Sequence, residues 1–446
     1  MVSLRLKSAH PVEVIALALF AATAILSFNA VKLGTTMVPL RFVTLVASGL
    51  LLLASDYGLA AEAWQRFRRL LVIVILAAGL ALLSSLSAGT SLQTVAVQIA
   101  QLHLQAIISV FVAGMLAIRF GTKPVAAILL GSFGLTALFA VAQALGLDAA
   151  WNVRATIGSL SNDPVLTRQA YERQERAMGL SFSPVIFATQ GCAMLAMMLA
   201  PVLLQRLKAG ASLFDWRVLA LCAGMSLLFL ATGNRSPLLG VAIFLLSYLL
   251  LVRPAWAALA LPLAAAVVLA GQPLVEHFQS SEVRALRSDS SSENRGVLRE
   301  FGVYLIAERP LGYGLDFEST SYSEEYYGQV VYTSSPNSIR QWALHNYYLM
   351  VTAKHGLLLL LLLFLVVPRT RPGWAALWVF TPYMVHVFYH NDGPLQGDFI
   401  IFFVFPLVAM WVGMAAPEAF ASGKPVWRRA FGDARMRRPN THTHAS

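Results

Sequence analysis

Apolar windows recur along nearly the whole chain, and each is about the length needed to cross a bilayer. That recurrence restricts the fold more than any motif does. The windows fall at 12–30, 36–55, 70–87, 94–118, 125–146, 184–205, 218–232, 237–252, 257–271, 346–367, 374–390 and 398–415. A hydrocarbon layer roughly 30 Å thick takes about 20 residues of helix. Lipid offers no partner to an unpaired peptide group, so such windows predict helices. Charged residues are only 12% of the 446 and hydrophobic ones 57%. A soluble domain carries about 25% charged residues, so an ordinary soluble enzyme and a disordered chain are both excluded. The expectation is an all-α polytopic membrane protein with about twelve transmembrane helices. A net charge of +11 then raises the question of which side the cations face, and no nucleic-acid partner is expected.

With the N-terminus in the cytoplasm, every inner segment is basic. Arg5 and Lys7 precede the first window. Successive inner connections carry Arg66, Arg68 and Arg69, then Arg119 and Lys123, then Arg206, Lys208 and Arg217, then Arg253, then Arg369 and Arg371. The tail adds Lys424, Arg428, Arg429, Arg435, Arg437 and Arg438, whereas the short outer connections hold only Lys32 and Arg235. The positive-inside rule therefore predicts cytoplasmic termini. The basic opening MVSLRLKSAH and the apolar run from Val12 to Phe28 resemble a signal anchor. No small-residue cleavage site follows, so the run reads as a retained first span.

The expected organisation is a transmembrane domain over 1–415 and a basic cytoplasmic tail over 416–446, held near anionic lipid. Two polar outer loops, 147–182 and 272–344, interrupt the first part; the larger lies between spans nine and ten. Loops of this length in a compact protein are usually functional or disordered. Within the larger one, SENRGVLREFGVYLIAE predicts a helix over 293–308, closed by Arg309–Pro310. The Tyr/Ser-rich stretch after it reads as a cover. Cys192 and Cys222 sit in apolar runs without metal-ligand spacing and read as packing residues.

Polar groups gather at the outer helix ends: Arg176 (ERAMGLSFSP), Arg235 (TGNRSP), Arg295 (SENRGVLREF), His345–Asn346 (ALHNYYLM) and His390–Asn391–Asp392 (YHNDGP). Guanidinium groups present a fork of donors matched to phosphate oxygens. A histidine beside them can take a proton from a hydroxyl. Together they predict a site for an anionic, phosphate-bearing substrate at the outer leaflet. The plainer reading of each arginine is a side chain reaching lipid headgroups or a nearby carboxylate. Arg235 stands apart because it interrupts a very short turn between two apolar runs. Lys354 and His355 fall at membrane depth, where a bundle-interior polar contact competes with a functional role. Asp316-Phe317-Glu318 has a D-x-E form, but in an exposed loop it carries little weight for a metal. No phosphate-binding glycine loop or zinc spacing is present, and neither a metal nor a cofactor is expected.

Four of these segments, in this order, resemble the bacterial O-antigen ligase and polymerase superfamily. RAMGLSFSP is similar to its Arg–Gly–Phe–Pro segment entering the sixth span, and TGNRSPLLG to its Ser-Arg turn. NRGVLREFGVYLIAERPLGYGL resembles its Arg-led helix with a Pro-Leu-x-Gly-x-Gly turn, and HNYYLMVTAKHGLLLLLLLF its His-Asn helix. Two positions depart from the pattern: Asn234 replaces a frequent Ser, and Lys354 replaces a frequent Glu.

The resemblance implies a GT-C-like glycosyltransferase of the bacterial inner membrane with a periplasmic active site. Its donor would be an undecaprenyl-diphosphate-linked glycan. The acceptor would be lipid A–core in a ligase of lipopolysaccharide biosynthesis, or another lipid-linked glycan in an O-antigen or exopolysaccharide polymerase. The resemblance further implies metal-independent, inverting transfer. His345 would then act as general base, with Arg176 and Arg235 on the diphosphate and Arg295, Asn346, Tyr348 and His390 contacting substrate. A transporter or flippase shares the twelve-span layout. It would place ionisable residues near the midplane of both halves, whereas the first five windows hold almost no charge beyond Arg41.

Overall fold

The structure, a computed structural model, describes residues 10–29, 39–160, 176–252, 291–366, 368 and 370–415. The window at 257–271, the tail over 416–446 and residues 161–175 of the first outer loop lie outside these. Among the described residues the fold is helical throughout.

The first windows form α1 (Pro11–Phe28), α2 (Leu40–Ser55) and α3 (Gly58–Ser87). α3 begins well before its apolar window because Leu59, Ala63 and Phe67 continue the buried stripe of Leu71 and Val74 through the arginine-rich turn. α4 (Leu92–Ile99) passes through a π-helical turn (Ala100–Leu104) into α5 (Gln105–Phe120), followed by α6 (Thr122–Ala144). α7 (Asp148–Leu160) lies in the first outer loop, where no helix was expected. Its Ala150, Trp151, Arg154 and Ala155 form a buried stripe at helical spacing. Next come α8 (Pro184–Lys208), α9 (Trp216–Ala231) and α10 (Arg235–Val252). The second outer loop contains α11 (Ser291–Glu308), the helix expected at 293–308, then a 3-10 turn (Ser319–Tyr322), α12 (Ser323–Val330) and α13 (Ser338–Gln341). The chain ends in α14 (Tyr347–His355), α15 (Leu358–Val366), α16 (Arg371–Val379), α17 (Thr381–Phe388) and α18 (Ile401–Ala415).

Among the described residues, six helical stretches are long and apolar enough to cross a membrane: α1, α3, α4–α5 taken together, α6, α8 and α10. α2, α9 and α18 are apolar but shorter. Helices of this kind belong to an integral membrane protein.

α8 is the axis of the bundle, touching α6, α9, α16, α17 and α18. Its small residues, among them Ala188, Gly191, Ala193 and Ala196, are buried and let neighbouring helices approach closely. At one end of the bundle, Glu13 of α1 accepts two bonds from Arg119 of α5, at 2.6 and 2.8 Å.

Two windows expected as single helices are broken. The eleventh divides into α16 and α17, where Pro382 near the start of α17 has no N–H to continue the helix before it. The tenth divides at Gly356, which has φ +84°. Here the turn after α11 clips onto the break. Leu357 donates its N–H to the Pro310 carbonyl at 2.7 Å, Tyr313 donates to Ala353 at 2.7 Å, and Gly314 donates to Lys354 at 3.2 Å. Leu315 completes the clip by donating to Ser85 Oγ of α3 at 2.9 Å.

α14 consequently belongs to a second, smaller core. Met350 and Ala353 pack with Val297, Phe301 and Leu305 of α11 and with Phe317 and Tyr326 beyond it. The segment from α11 to α14 is thus a folded cap, joined to the bundle through α14.

Candidate active site

Arg176 is fixed by the way its own segment docks. Gln143 of α6 accepts the N–H groups of Met178 and Gly179 at 2.9 and 2.8 Å and donates to the Gly179 carbonyl at 3.0 Å. Thr136 accepts from the Leu180 N–H at 2.7 Å. So held, Arg176 reaches the turn between α9 and α10. Its Nε donates to the Thr232 carbonyl at 3.0 Å and an Nη donates to the Asn234 side chain. Asn234 in turn donates to the Pro184 carbonyl at 2.8 Å. Part of the Arg176 fork is therefore spent on shaping the turn, and Arg235, exposed, starts α10 from that turn.

The next residue, Ser236, meets two histidines of the α17 region. Its Oγ is 2.9 Å from His386 Nδ1 and 3.1 Å from His390 Nε2. His386 Nε2 lies 3.0 Å from Thr189 Oγ1 and 3.4 Å from the Val185 carbonyl of α8. A carbonyl only accepts, so His386 carries its proton on Nε2 and accepts from Ser236 at Nδ1. Ser236 then accepts from His390. The approach depends on Gly240, one turn along α10 from Ser236. A Cβ there would stand 2.7 Å from the Pro382 backbone.

α11 approaches the same helix end through Arg299. Arg299 stacks on Phe388 at the end of α17, with its guanidinium carbon 5.8 Å from the ring centroid. Arg295, one turn earlier, faces the same region. The charges of Arg176 and Arg295 and the imidazoles of His345 and His386 all bear on His390. Four positively charged or titratable side chains, from four separated parts of the chain, thus bear on His390.

His345 is half-buried just before α14. Its Nδ1 is 2.7 Å from the Ala343 carbonyl, which fixes that proton and leaves Nε2 with the lone pair. Asn346 caps α14 by accepting from the Leu349 N–H at 3.1 Å. Tyr348 donates its hydroxyl to the Met384 carbonyl at 3.1 Å, tying α14 to α17. In this structure those two side chains build the frame of the site.

Ser236 and His386 were not anticipated. The available signal was the pair His386 and His390, four residues apart on one helical face.

His355 makes an interhelical polar contact. Its Nε2 lies 3.1 Å from His103 Nε2 of the π turn, and its Nδ1 donates to the Val351 carbonyl at 2.9 Å. Asp316 and Glu318 bear on the Lys354 charge, so the departure at 354 has carboxylates nearby. Among the described residues no three His, Cys, Asp or Glu side chains are grouped as metal ligands.

Asp392, in the loop after α17, has its carboxyl pushed up to about 6 by burial and then by the charge of Asp398. An unfolded Asp ionises near 3.9. The contribution of this group to stability is full below that value and is lost as pH rises through about 6. Asp392→Asn should therefore raise the thermal midpoint in detergent at pH 7.5, by about 1–3 kcal/mol of stability, and leave it nearly unchanged at pH 4. Paired melting curves at the two pH values check this.

Fold and site together define an integral membrane protein with a cluster of arginines and histidines at one end of its helical bundle. Residues 220–364 match the O-antigen ligase family, which supports the O-antigen ligase and polymerase superfamily for this chain. The matched range includes the turn with Asn234 and Arg235, together with Arg295 and His345; Arg176, His386 and His390 fall outside it. Comparison with curated proteins found no match.

Proposed function

We propose that the protein is an O-antigen ligase-like glycosyltransferase with about twelve spans and cytoplasmic termini, working at the periplasmic face of the bacterial inner membrane. It takes a glycan from an undecaprenyl-diphosphate donor and passes it to a sugar hydroxyl of lipid A–core. The observation that carries this reading is that Arg176 is bonded to the turn that begins α10, that His390 is bonded to Ser236 just beyond it, and that the charges of Arg176, Arg295 and His345 bear on His390.

In the proposed reaction, His345 Nε2 takes the proton from the acceptor hydroxyl as its oxygen attacks the anomeric carbon. The bond from that carbon to the diphosphate oxygen breaks, and its electron pair stays with the diphosphate. Arg235 and Arg295 meet the charge that builds there, supported by the field of Arg176. Attack opposite the leaving group inverts the anomeric centre. Asn346 keeps His345 at the head of α14, while the Ser236–His386–His390 network fixes α10 against α17.

The test is transfer by the purified protein from a lipid-diphosphate glycan, with lipid A–core and a second lipid-linked glycan offered separately, each with and without chelator. Transfer to lipid A–core that persists with chelator is expected. Transfer only to the lipid-linked glycan would make the protein a polymerase, and transfer to neither would remove the proposal.

A further inference from the structure

Arg41 is a cation set at one end of an apolar helix, with no counter-ion among the described residues. Its Nε is buried and makes no hydrogen bond. Among the described residues no carboxylate bears on its charge. One flank lies against Phe399, with the guanidinium carbon 5.2 Å from the ring centroid. Arg41 also lines a cavity of about 420 Å³ together with Gln101, Gln105, Phe42 and Val97. Gln101 belongs to the π turn and Gln105 starts α5, so the local widening of that helix forms one wall. π turns of this kind recur at functional sites.

A guanidinium drawn partly out of water is unfavourable unless an anion or a set of acceptors replaces the lost solvent. Where the described residues supply neither to an intramembrane cation that lines a cavity, a bound ligand can supply the anion. The loop carrying Phe399 also carries His390, so the cavity opens at the same end of the bundle as the candidate active site while using different residues. At the edge of a bilayer, the abundant anions are the phosphates of lipid heads.

We propose that this cavity binds the phosphate head of a membrane lipid. Arg41 pairs with a phosphate oxygen, the amides of Gln101 and Gln105 donate to the others, and the tail runs along Phe42 and Val97. The proposal does not depend on the glycosyl-transfer reading.

The experiment uses the delipidated full-length protein in detergent, read by native mass spectrometry and thermal shift. The probes are phosphatidylglycerol, undecaprenyl phosphate, diacylglycerol and inorganic phosphate. One phosphate-bearing lipid should bind, and diacylglycerol should not. Arg41→Gln should weaken binding at least about tenfold, the loss expected when a charge-assisted bond to a phosphate oxygen is removed. Ala100→Phe, at an exposed position on the cavity rim, should block the lipid without lowering the melting midpoint. This second variant keeps the test decisive if the first folds poorly. Preference between the two phosphate-bearing lipids tells a resident phospholipid from a polyprenyl carrier. Equal lipid binding by the wild type and both variants, no binding at all, or inorganic phosphate binding as tightly as the lipids would overturn the proposal.

Discussion

His345→Ala is expected to reduce glycan transfer by about 10²–10⁴-fold, the range for loss of a positioned general base. The imidazole has little structural work in this fold. Its Nδ1–H is used by the Ala343 carbonyl, its ring stands edge-on to Trp342 at 6.2 Å, and α14 is capped by Asn346. The variant should therefore fold and insert as the wild type does, so the effect belongs to the chemical step. Initial rates at saturating donor and acceptor, with melting curves on the same preparations, separate the two. A folded variant that transfers at the wild-type rate would withdraw the base assignment. Arg235→Ala gives a comparison from the exposed start of α10: it should weaken transfer without disturbing the turn, which Arg176 and Asn234 hold.

Gly356→Ala should cause the largest loss of stability. The glycine sits at φ +84° and ψ 165°, a region essentially closed to residues with a Cβ. An added Cβ would come 2.5 Å from the Leu311 carbonyl oxygen, against backbone that has no side chain to swing away. The clip must open, losing the bond from Leu357 to Pro310 and the two from Tyr313 and Gly314 to α14. Strain of about 1–3 kcal/mol and three hydrogen bonds at about 1 kcal/mol each give an expected cost of roughly 4–6 kcal/mol. Because α14 joins the cap to the bundle and carries His345 at its head, transfer should fall as well. Two readouts report it: a lower melting midpoint, and new protease cleavage around residues 309–318. A wild-type midpoint with no new cleavage would mean that the clip is dispensable.

Much of the helical framework was legible from residue order. The apolar windows correspond to helices wherever the structure describes them, and α11 follows the periodicity of its own residues. The breaks were less visible. A proline in the eleventh window and a glycine in the tenth were there to be seen, but a continuous apolar run hides what a break does. The division at Gly356 makes sense only once the Pro310–Gly314 turn is found docked on it from some forty residues earlier. α7 was overlooked because its stripe is short and includes an arginine. That arginine, Arg154, is fully buried, and its Nε donates to the Ser181 carbonyl at 2.9 Å, a contact that no local pattern announces.

The site divides in the same way. Arg176, Arg235, Arg295, His345 and His390 were singled out as polar groups at the ends of apolar runs, a property each residue shows in its own neighbourhood. The roles of Ser236 and His386 were not, because their bond joins positions 150 residues apart. That bond exists only where Gly240 lets α10 press against Pro382.

By itself, residue order determined which stretches become helices in lipid, since each helix satisfies its own backbone and shows its own apolar surface. Which helices touch, and hence which side chains face one another, was left to the tertiary structure. The reason is physical: contacts of that kind come from the mutual fit of surfaces far apart along the chain, where one missing Cβ decides whether two backbones can meet.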